Sequence, residues 1–123
     1  MSDILYGDCP AQADLCVPQG QTLSQGFKWK VDDVVVDLSG YTARAMFRET
    51  PDSATVTLSL TTANGGVVIS AAAGLVTLSA SAASMSAITA GRYVYDVEIE
   101  SATGVVKRLV EGVAKVSREV TRA

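Results

Sequence analysis

The sequence predicts an all-β fold, namely an antiparallel β-sandwich of about seven or eight short strands with one short helical turn. Residues 92–100 alternate apolar with acidic side chains, which is the pattern of a strand with one buried face. Turn-forming residues recur at intervals of about eight to twelve residues, as they do in sandwiches. The three-residue spacing of a helix occurs only in residues 81–88. Together these observations favour a sandwich over a parallel sheet.

The segment 92–100 is the strand around which the rest of the chain is organised. Its inward residues are Tyr93, Tyr95, Val97 and Ile99, and its outward acids are Asp96, Glu98 and Glu100. A slip of one residue would bury those carboxylates, so the cost of burying charge fixes the register. We therefore expect a second layer of structure to cover the apolar row.

The other elements follow from the same alternation and from the turns between strands. Strands are predicted at residues 21–31, 34–38, 41–48, 55–60, 67–70, 75–78 and 105–116. Asp32 and Asp33 predict a tight hairpin, because Asp accepts turn conformations, while Gly26 predicts a bulge and Gly112 a bulge or a break. Residues 81–88 predict about one or two helical turns capped by Ser81. The residues predicted to lie in or near the core are Phe27, Trp29, Ala43, Ala45, Phe47, Val56, Leu58, Tyr93, Tyr95, Val97 and Ile99.

Residues 1–20, here called the arm, differ in composition from the sandwich domain predicted at residues 21–123. The arm contains Pro10, Pro18, Cys9 and Cys16 and shows no sustained periodicity. It is therefore predicted to be irregular, with room for one short edge strand, and not to be needed for the core. A segment of this kind is free to reach a partner, so the arm is a candidate assembly element. The alternative is a tail without a role.

The two cysteines of the arm are a candidate disulfide. A bridge between Cys9 and Cys16 would close a loop of about eight residues and stabilise the fold by about 2.5 kcal/mol in the chain-entropy model. Either cysteine is equally able to bond to a partner chain, or to stay a free thiol in a reducing compartment.

Composition excludes several classes of function. The chain has a net charge of -3, with no basic patch for nucleic acid, and it has no histidine, the commonest general base and zinc ligand. No apolar run approaches the roughly 20 residues that cross a bilayer. The start of the chain has no basic and apolar secretory pattern, which predicts synthesis in the cytosol. We predict no catalytic, cofactor-binding or metal-binding residues, and hence no enzyme.

Two side-chain patterns have both a chemical and a structural interpretation. Asp96, Glu98 and Glu100 lie about 7 Å apart on one strand face, and their carboxylates would project in parallel, so a solvated face is favoured over a metal site. Arg44 and Arg48 are their expected cross-strand partners. Trp29 lies between Lys28 and Lys30 and could stack on a sugar or a base, but a core anchor is the favoured interpretation.

Several stretches resemble those of small structural proteins encoded among the tail genes of tailed bacteriophages. They are VDLSGYTARAMFR at residues 36–48, GRYVYDVEI at 91–99, LVEG at 109–112 and VSREVT at 116–121. These proteins are similar to the N-terminal immunoglobulin-like domain of phage upper baseplate proteins, which attaches receptor-binding machinery to the tail. The cysteine-containing arm has no counterpart in that pattern.

The resemblance implies an immunoglobulin-like sandwich without catalytic or cofactor residues. It implies a virion component made in the host cytoplasm that contacts baseplate, fibre or capsid subunits and other copies of itself, without nucleic acid or membrane. The leading hypothesis is a tail, baseplate or fibre-attachment adaptor. A capsid decoration protein is the alternative within the virion, and a carbohydrate-binding module that uses Trp29 and the tyrosines is the alternative outside it.

Overall fold

The computed structural model describes residues 11–121 and, for residues 2–5, the backbone alone. In chain order its elements are β1 (Ser2–Leu5), β2 (Ala11–Gln12), β3 (Leu15–Cys16), β4 (Leu23–Val31), β5 (Val34–Val35), β6 (Thr42–Arg48), β7 (Leu58–Thr61), β8 (Val67–Ser70), β9 (Leu75–Ala80), α1 (Ala82–Ser86), β10 (Gly91–Glu100) and β11 (Val106–Val116). Most of the described residues lie in strands, and the one helix among them is short. The all-β sandwich predicted from the sequence is therefore confirmed.

The strands form two sheets that pack face to face. The first sheet has the order β1-β4-β9-β8, with β5 beside β4, and the second has the order β2-β11-β10-β6-β7, with β3 beside β11. Pairing is antiparallel except where β1 joins β4 and where β2 and β3 join β11. The predicted organising strand, β10, lies at the centre of the second sheet between β6 and β11. No helix among the described residues is long and apolar enough to span a membrane.

The core lies between the sheets, and ten of the eleven residues predicted in or near it are buried or packed against it. Nine of the eleven predicted residues are buried, and Val97 and Phe27 are fully inaccessible to solvent. Leu58 is half-buried and packs against the core, while Val56 is half-buried and precedes β7. The strand predicted at residues 55–60 begins later, at Leu58, because the preceding residues run as a loop.

The hairpin and the helical turn are both confirmed. Asp32 and Asp33 have φ angles of 51° and 65°, and they join Val31 to its register partner Val34 in a loop of two residues. The helix is capped by Ser81, whose hydroxyl accepts the backbone N–H of Ser84 at 3.1 Å. The strand predicted at 34–38 is shorter than expected and ends at Val35.

Both predicted bulges are wrong. The pairing of β4 with β9 runs through Gly26 without a shift of register. In β11 the shift occurs where Val97 pairs with Val110 and Glu98 pairs with Arg108, so the extra residue is Leu109 and not Gly112. Leu109 and Val110 are adjacent and both buried, which in a strand with only one face in the core is explained by a bulge.

The arm is part of the fold, which corrects the prediction that the core does not need it. Strands β2 and β3 run parallel to β11 and extend the second sheet, and Leu15 and Val17 are buried in the core. The backbone of β1 pairs with β4 at the edge of the first sheet. The physical reason is that β11 would otherwise leave an edge of backbone groups and an apolar flank without a cover. The first twenty residues thus contribute edge strands to both sheets.

Candidate functional site

The side of the second sheet that faces away from the core, here called the outer face, carries most of the charged side chains that the sequence singled out. Its central strands are β6, β10 and β11, and it forms a shallow depression of about 610 Å³. Across the strands, Val94 lies between Arg48 and Val113, Asp96 lies between Met46 and Glu111, and Glu98 lies between Arg44 and Arg108. These rows follow from alternation, since the residues between them on β10 point into the core.

Arg44 forms the predicted bridge between the two best alternating strands. Its Nε lies 3.0 Å from Glu98 Oε1 and its Nη1 lies 3.1 Å from Glu100 Oε1. These hydrogen bonds, first to Glu100 and then to Glu98, raise the pKa of the Arg44 guanidinium. The side chains are 28–38% exposed, so each pair contributes at most about 1 kcal/mol. The expected cross-strand pairing of Arg44 with β10 is confirmed.

Arg48 has a different role from the one expected. Its Nη1 donates to the carbonyl oxygen of Ser53 at 2.7 Å, and its Nη2 lies 3.6 Å from the sulfur of Met46. The guanidinium therefore fastens the loop that follows β6 against one side of the outer face. Pro51 of that loop lines the depression.

Arg108 is shared between two carboxylates on the other side of β10. Its Nε lies 3.5 Å from Asp96 Oδ2, and its Nη1 lies 3.1 Å from Glu111 Oε1. Gln12 donates to the second oxygen of Glu111 at 2.8 Å. The hydrogen bond from Gln12, assisted by Arg108, lowers the pKa of Glu111, whereas burial raises the pKa of Asp96 despite Arg108. The attraction of Arg108 thus does not offset the loss of water around the Asp96 carboxylate.

The opposite directions of these pKa shifts predict opposite effects of removing each charge. Because the folded pKa of Asp96 lies above its ordinary 3.8, ionisation costs folding free energy at neutral pH, and Asp96→Asn should raise the melting temperature there. That gain should disappear as the pH falls below 3.8. Glu111→Gln should lower the melting temperature at pH 7, and this difference should shrink as the pH falls below 4.5 and vanish once the pH passes the lower pKa of the folded state. Thermal unfolding from pH 3 to pH 8 checks both, and equal effects of the two variants would contradict the assignment.

No metal site forms on the described part of the chain. Among those residues no three His, Cys, Asp or Glu side chains converge as metal ligands would. Asp96, Glu98 and Glu100 contact arginines instead.

Residues 13–17 of the arm are joined to β11 by backbone and side-chain hydrogen bonds. The N–H groups of Ala13 and Val17 donate to the carbonyl oxygens of Glu111 and Lys115 at 3.0 and 2.9 Å. Where the ladder is interrupted between β2 and β3, the carboxylate of Asp14 accepts the N–H of Val113 at 3.0 Å. The side-chain oxygen of Asp14 takes the place of a strand carbonyl, so the backbone N–H of Val113 keeps an acceptor where β2 and β3 are not continuous.

Gly112 and Tyr95 explain why the arm fits at this point. A Cβ on Gly112 would overlap the carbonyl oxygen of Ala13, so only glycine allows the arm to lie this close. Tyr95, the register partner of Gly112, donates its hydroxyl to that same oxygen at 2.5 Å. Burial, with a smaller effect of the nearby Asp14 charge, raises the pKa of the Tyr95 phenol, which keeps the donor protonated. One signal of this contact was present in the sequence, because a tyrosine predicted to be buried needs a partner for its hydroxyl.

Removal of this hydroxyl should loosen the arm selectively. Tyr95→Phe leaves the Ala13 carbonyl without its donor and should cost about 1–2 kcal/mol in urea unfolding. It should also speed hydrogen exchange at the N–H groups of Ala13 and Val17. Tyr93→Phe is the matched control, because the Tyr93 hydroxyl donates to Thr89 at 2.5 Å, away from the arm. If both variants accelerate exchange in the arm equally, Tyr95 does not hold it.

The remaining predicted site residues do not come together. Cys16 is exposed on β3, while Cys9 lies outside the described residues, so their bridge stays a prediction. Trp29 is 6% exposed, and its ring meets that of Tyr41 edge-on at a centroid distance of 6.3 Å. The indole is therefore a core anchor and has no free face for a sugar, as the favoured interpretation predicted.

Comparison with known proteins gives a fold but no family. No protein-family model and no curated protein matches the sequence. Among solved structures, the N-terminal domain of phage TP901-1 ORF48 superposes with a TM-score of 0.60 and 10% identity, over 95% of this chain and 99% of that one. CopC from Methylosinus trichosporium OB3b (TM-score 0.49, 12% identity, 90% of both chains) and Drosophila OTK extracellular domains 3–5 (TM-score 0.39, 11% identity, 92% of this chain and 35% of that one) are too distant to support an argument. The expected similarity to a phage sandwich domain is thus confirmed at the level of the fold.

Proposed function

We propose that this chain is a non-enzymatic structural protein of a tailed-phage virion, acting as a tail, baseplate or fibre-attachment adaptor through protein–protein interfaces. The observation that carries the proposal is the end-to-end correspondence with a phage domain, which covers 95% of this chain and 99% of the other. The sandwich here therefore matches the whole of that domain. The stretches at 36–48 and 91–99, which resemble phage tail proteins, form β6, β10 and the turn before β6.

The outer face has the character of a surface that binds protein. It combines arginines and carboxylates with the half-buried apolar side chains of Met46, Val94 and Val113. Protein interfaces are enriched in arginine and methionine and have polar rims. Its carboxylates are paired with arginines. These ion pairs fix the side chains of the surface, whereas a general acid or base needs a carboxyl group that is free to exchange a proton with a substrate. In this role the protein is made in the host cytoplasm and works in the virion, bound to other virion proteins.

The test is to delete the gene from the phage that encodes this chain and to supply the protein in trans. The proposal predicts filled heads with missing or incomplete tail tips and loss of infectivity, rescued by the wild-type chain and not by an unfolded variant. Normal infectious particles without the protein would overturn the proposal. Complete tails on fragile heads would instead support the decoration role.

A further inference from the structure

One end of the outer face carries two cations that the ion-pair network leaves out. Arg92 and Lys115 are register partners on β10 and β11, both exposed, and neither has an ion pair among the described residues. Two residues further along the same strands lie Val94 and Val113, and two residues beyond them lie Asp96 and Glu111. We call these pairs the basic row, the valine row and the acidic row; successive rows are about 7 Å apart.

The spacing of the rows makes the face complementary to itself. If two copies stack outer face to outer face, with the twofold axis crossing the strands at the valine row, each basic row lies over the partner's acidic row. The valine rows then meet at the axis, with Arg48, the register partner of Val94 on β6, beside them and its guanidinium bonded to the Ser53 carbonyl of its own copy. A twofold interface must place one patch against an identical patch, and an order of basic, apolar and acidic rows at equal intervals satisfies that condition.

The acidic row has capacity for an additional cation. Asp96 and Glu111 share the single guanidinium of Arg108, and the contact to Asp96 is the longer one at 3.5 Å. Burial also raises the pKa of Asp96, so a cation from outside would lower the cost of its charge. The depression of about 610 Å³ has the room to receive long basic side chains from a partner.

We propose that this chain forms a twofold-symmetric dimer through its outer face, with Arg92 and Lys115 of each copy docked against Asp96 and Glu111 of the other. The partner that fits this face is a second copy of the chain, because the basic and the acidic row lie on the same two strands at equal distances from the valine row. The inference does not rest on a role in a phage. The three rows span only about 14 Å along the strands, so a weak dimer is expected, with a Kd on the order of 10 μM to 1 mM.

Sedimentation equilibrium of the full chain tests the dimer directly. The proposal predicts concentration-dependent association that weakens about tenfold between roughly 50 and 500 mM salt, since exposed charges are screened. Arg92→Glu with Lys115→Glu should weaken self-association at least about tenfold, because it puts like charges across the interface. Asp96→Lys with Glu111→Lys should do the same. Glu111→Lys alone serves if the double variant does not fold.

Mixing the two charge-reversed chains is the decisive step. Both charged rows are acidic in the first variant and basic in the second. In a mixed pair, opposite charges therefore face each other on both sides of the axis, so a heterodimer should form although neither variant pairs with itself. Lys28→Glu with Lys30→Glu is the matched control, since it changes the net charge equally on β4 of the first sheet, and it should dimerise like the wild type. A wild-type chain that stays monomeric up to about 1 mM, a dimer indifferent to the reversals, or a mixture without heterodimer would each overturn the proposal.

Discussion

Deleting residues 1–20 should leave a chain that does not fold. The deletion removes Leu15 and Val17 from the core, where they are 8% and 4% exposed, and each buried side chain contributes about 1.5–3 kcal/mol. It also strips the parallel partners from β11, including the bonds of Ala13 and Val17 to the carbonyls of Glu111 and Lys115. Against a total stability of about 5–15 kcal/mol, the combined loss is enough to abolish the folded state of most small domains.

Near-ultraviolet circular dichroism and urea titration of the 21–123 fragment measure this loss. The matched truncation removes only residues 1–10 and keeps β2, β3 and the buried Leu15 and Val17, so it should still unfold cooperatively. If the 21–123 fragment instead unfolds with the same midpoint as the full chain, the arm is dispensable and the packing described for it is wrong.

Replacing Val97 by Asp should also unfold the protein. Val97 is fully buried at the centre of β10, between Ala45 on β6 and Val110 on β11. A carboxylate there finds no cation, and the cost of burying it unpaired is several kcal/mol. Val68→Asp is the control, because Val68 is 52% exposed on the edge strand β8, where the same change should cost about 1 kcal/mol.

Thermal unfolding followed by far-ultraviolet circular dichroism distinguishes the two positions. Loss of the β-sheet signal at room temperature is expected for Val97→Asp and retention is expected for Val68→Asp. Similar melting temperatures for both variants would mean that β10 is not the central strand.

Elements with a long unbroken alternation were predictable from the sequence because each residue's face is decided by its neighbours. The period-2 pattern at 92–100 and 41–48 predicted the two strands, their inward faces and a pairing of Arg44 or Arg48 with Asp96 or Glu98, which the structure shows as Arg44 with Glu98. The hairpin at Asp32 and Asp33 was predictable for a different reason, since few residue types accept positive φ.

The features that the sequence did not reveal depend on contacts between distant parts of the chain. Strands β2 and β3 have two residues each, which is too short for any periodicity to show. The function of Gly112 depends on the carbonyl of Ala13, about a hundred positions away, so the glycine alone suggested a bulge. The true bulge had a local signal, the adjacent apolar pair Leu109–Val110, which breaks the alternation of β11.

The outer face was only partly predictable. The sequence identified its acids and the two arginines of β6, but the contribution of Arg108 depends on the bulge, which brings it into register with Glu98. The self-complementary order of rows depends on pairing Arg92 with Lys115, and that register follows from the whole length of the β10–β11 hairpin.

Imaging of the assembled phage by electron cryomicroscopy, with mass spectrometry of the purified particles, tests the virion role most directly. The proposal predicts that the protein is present in stoichiometric amounts and that its sandwich fits density in the tail or baseplate at symmetry-related positions. Particles that are complete and infectious but contain none of this protein would contradict it.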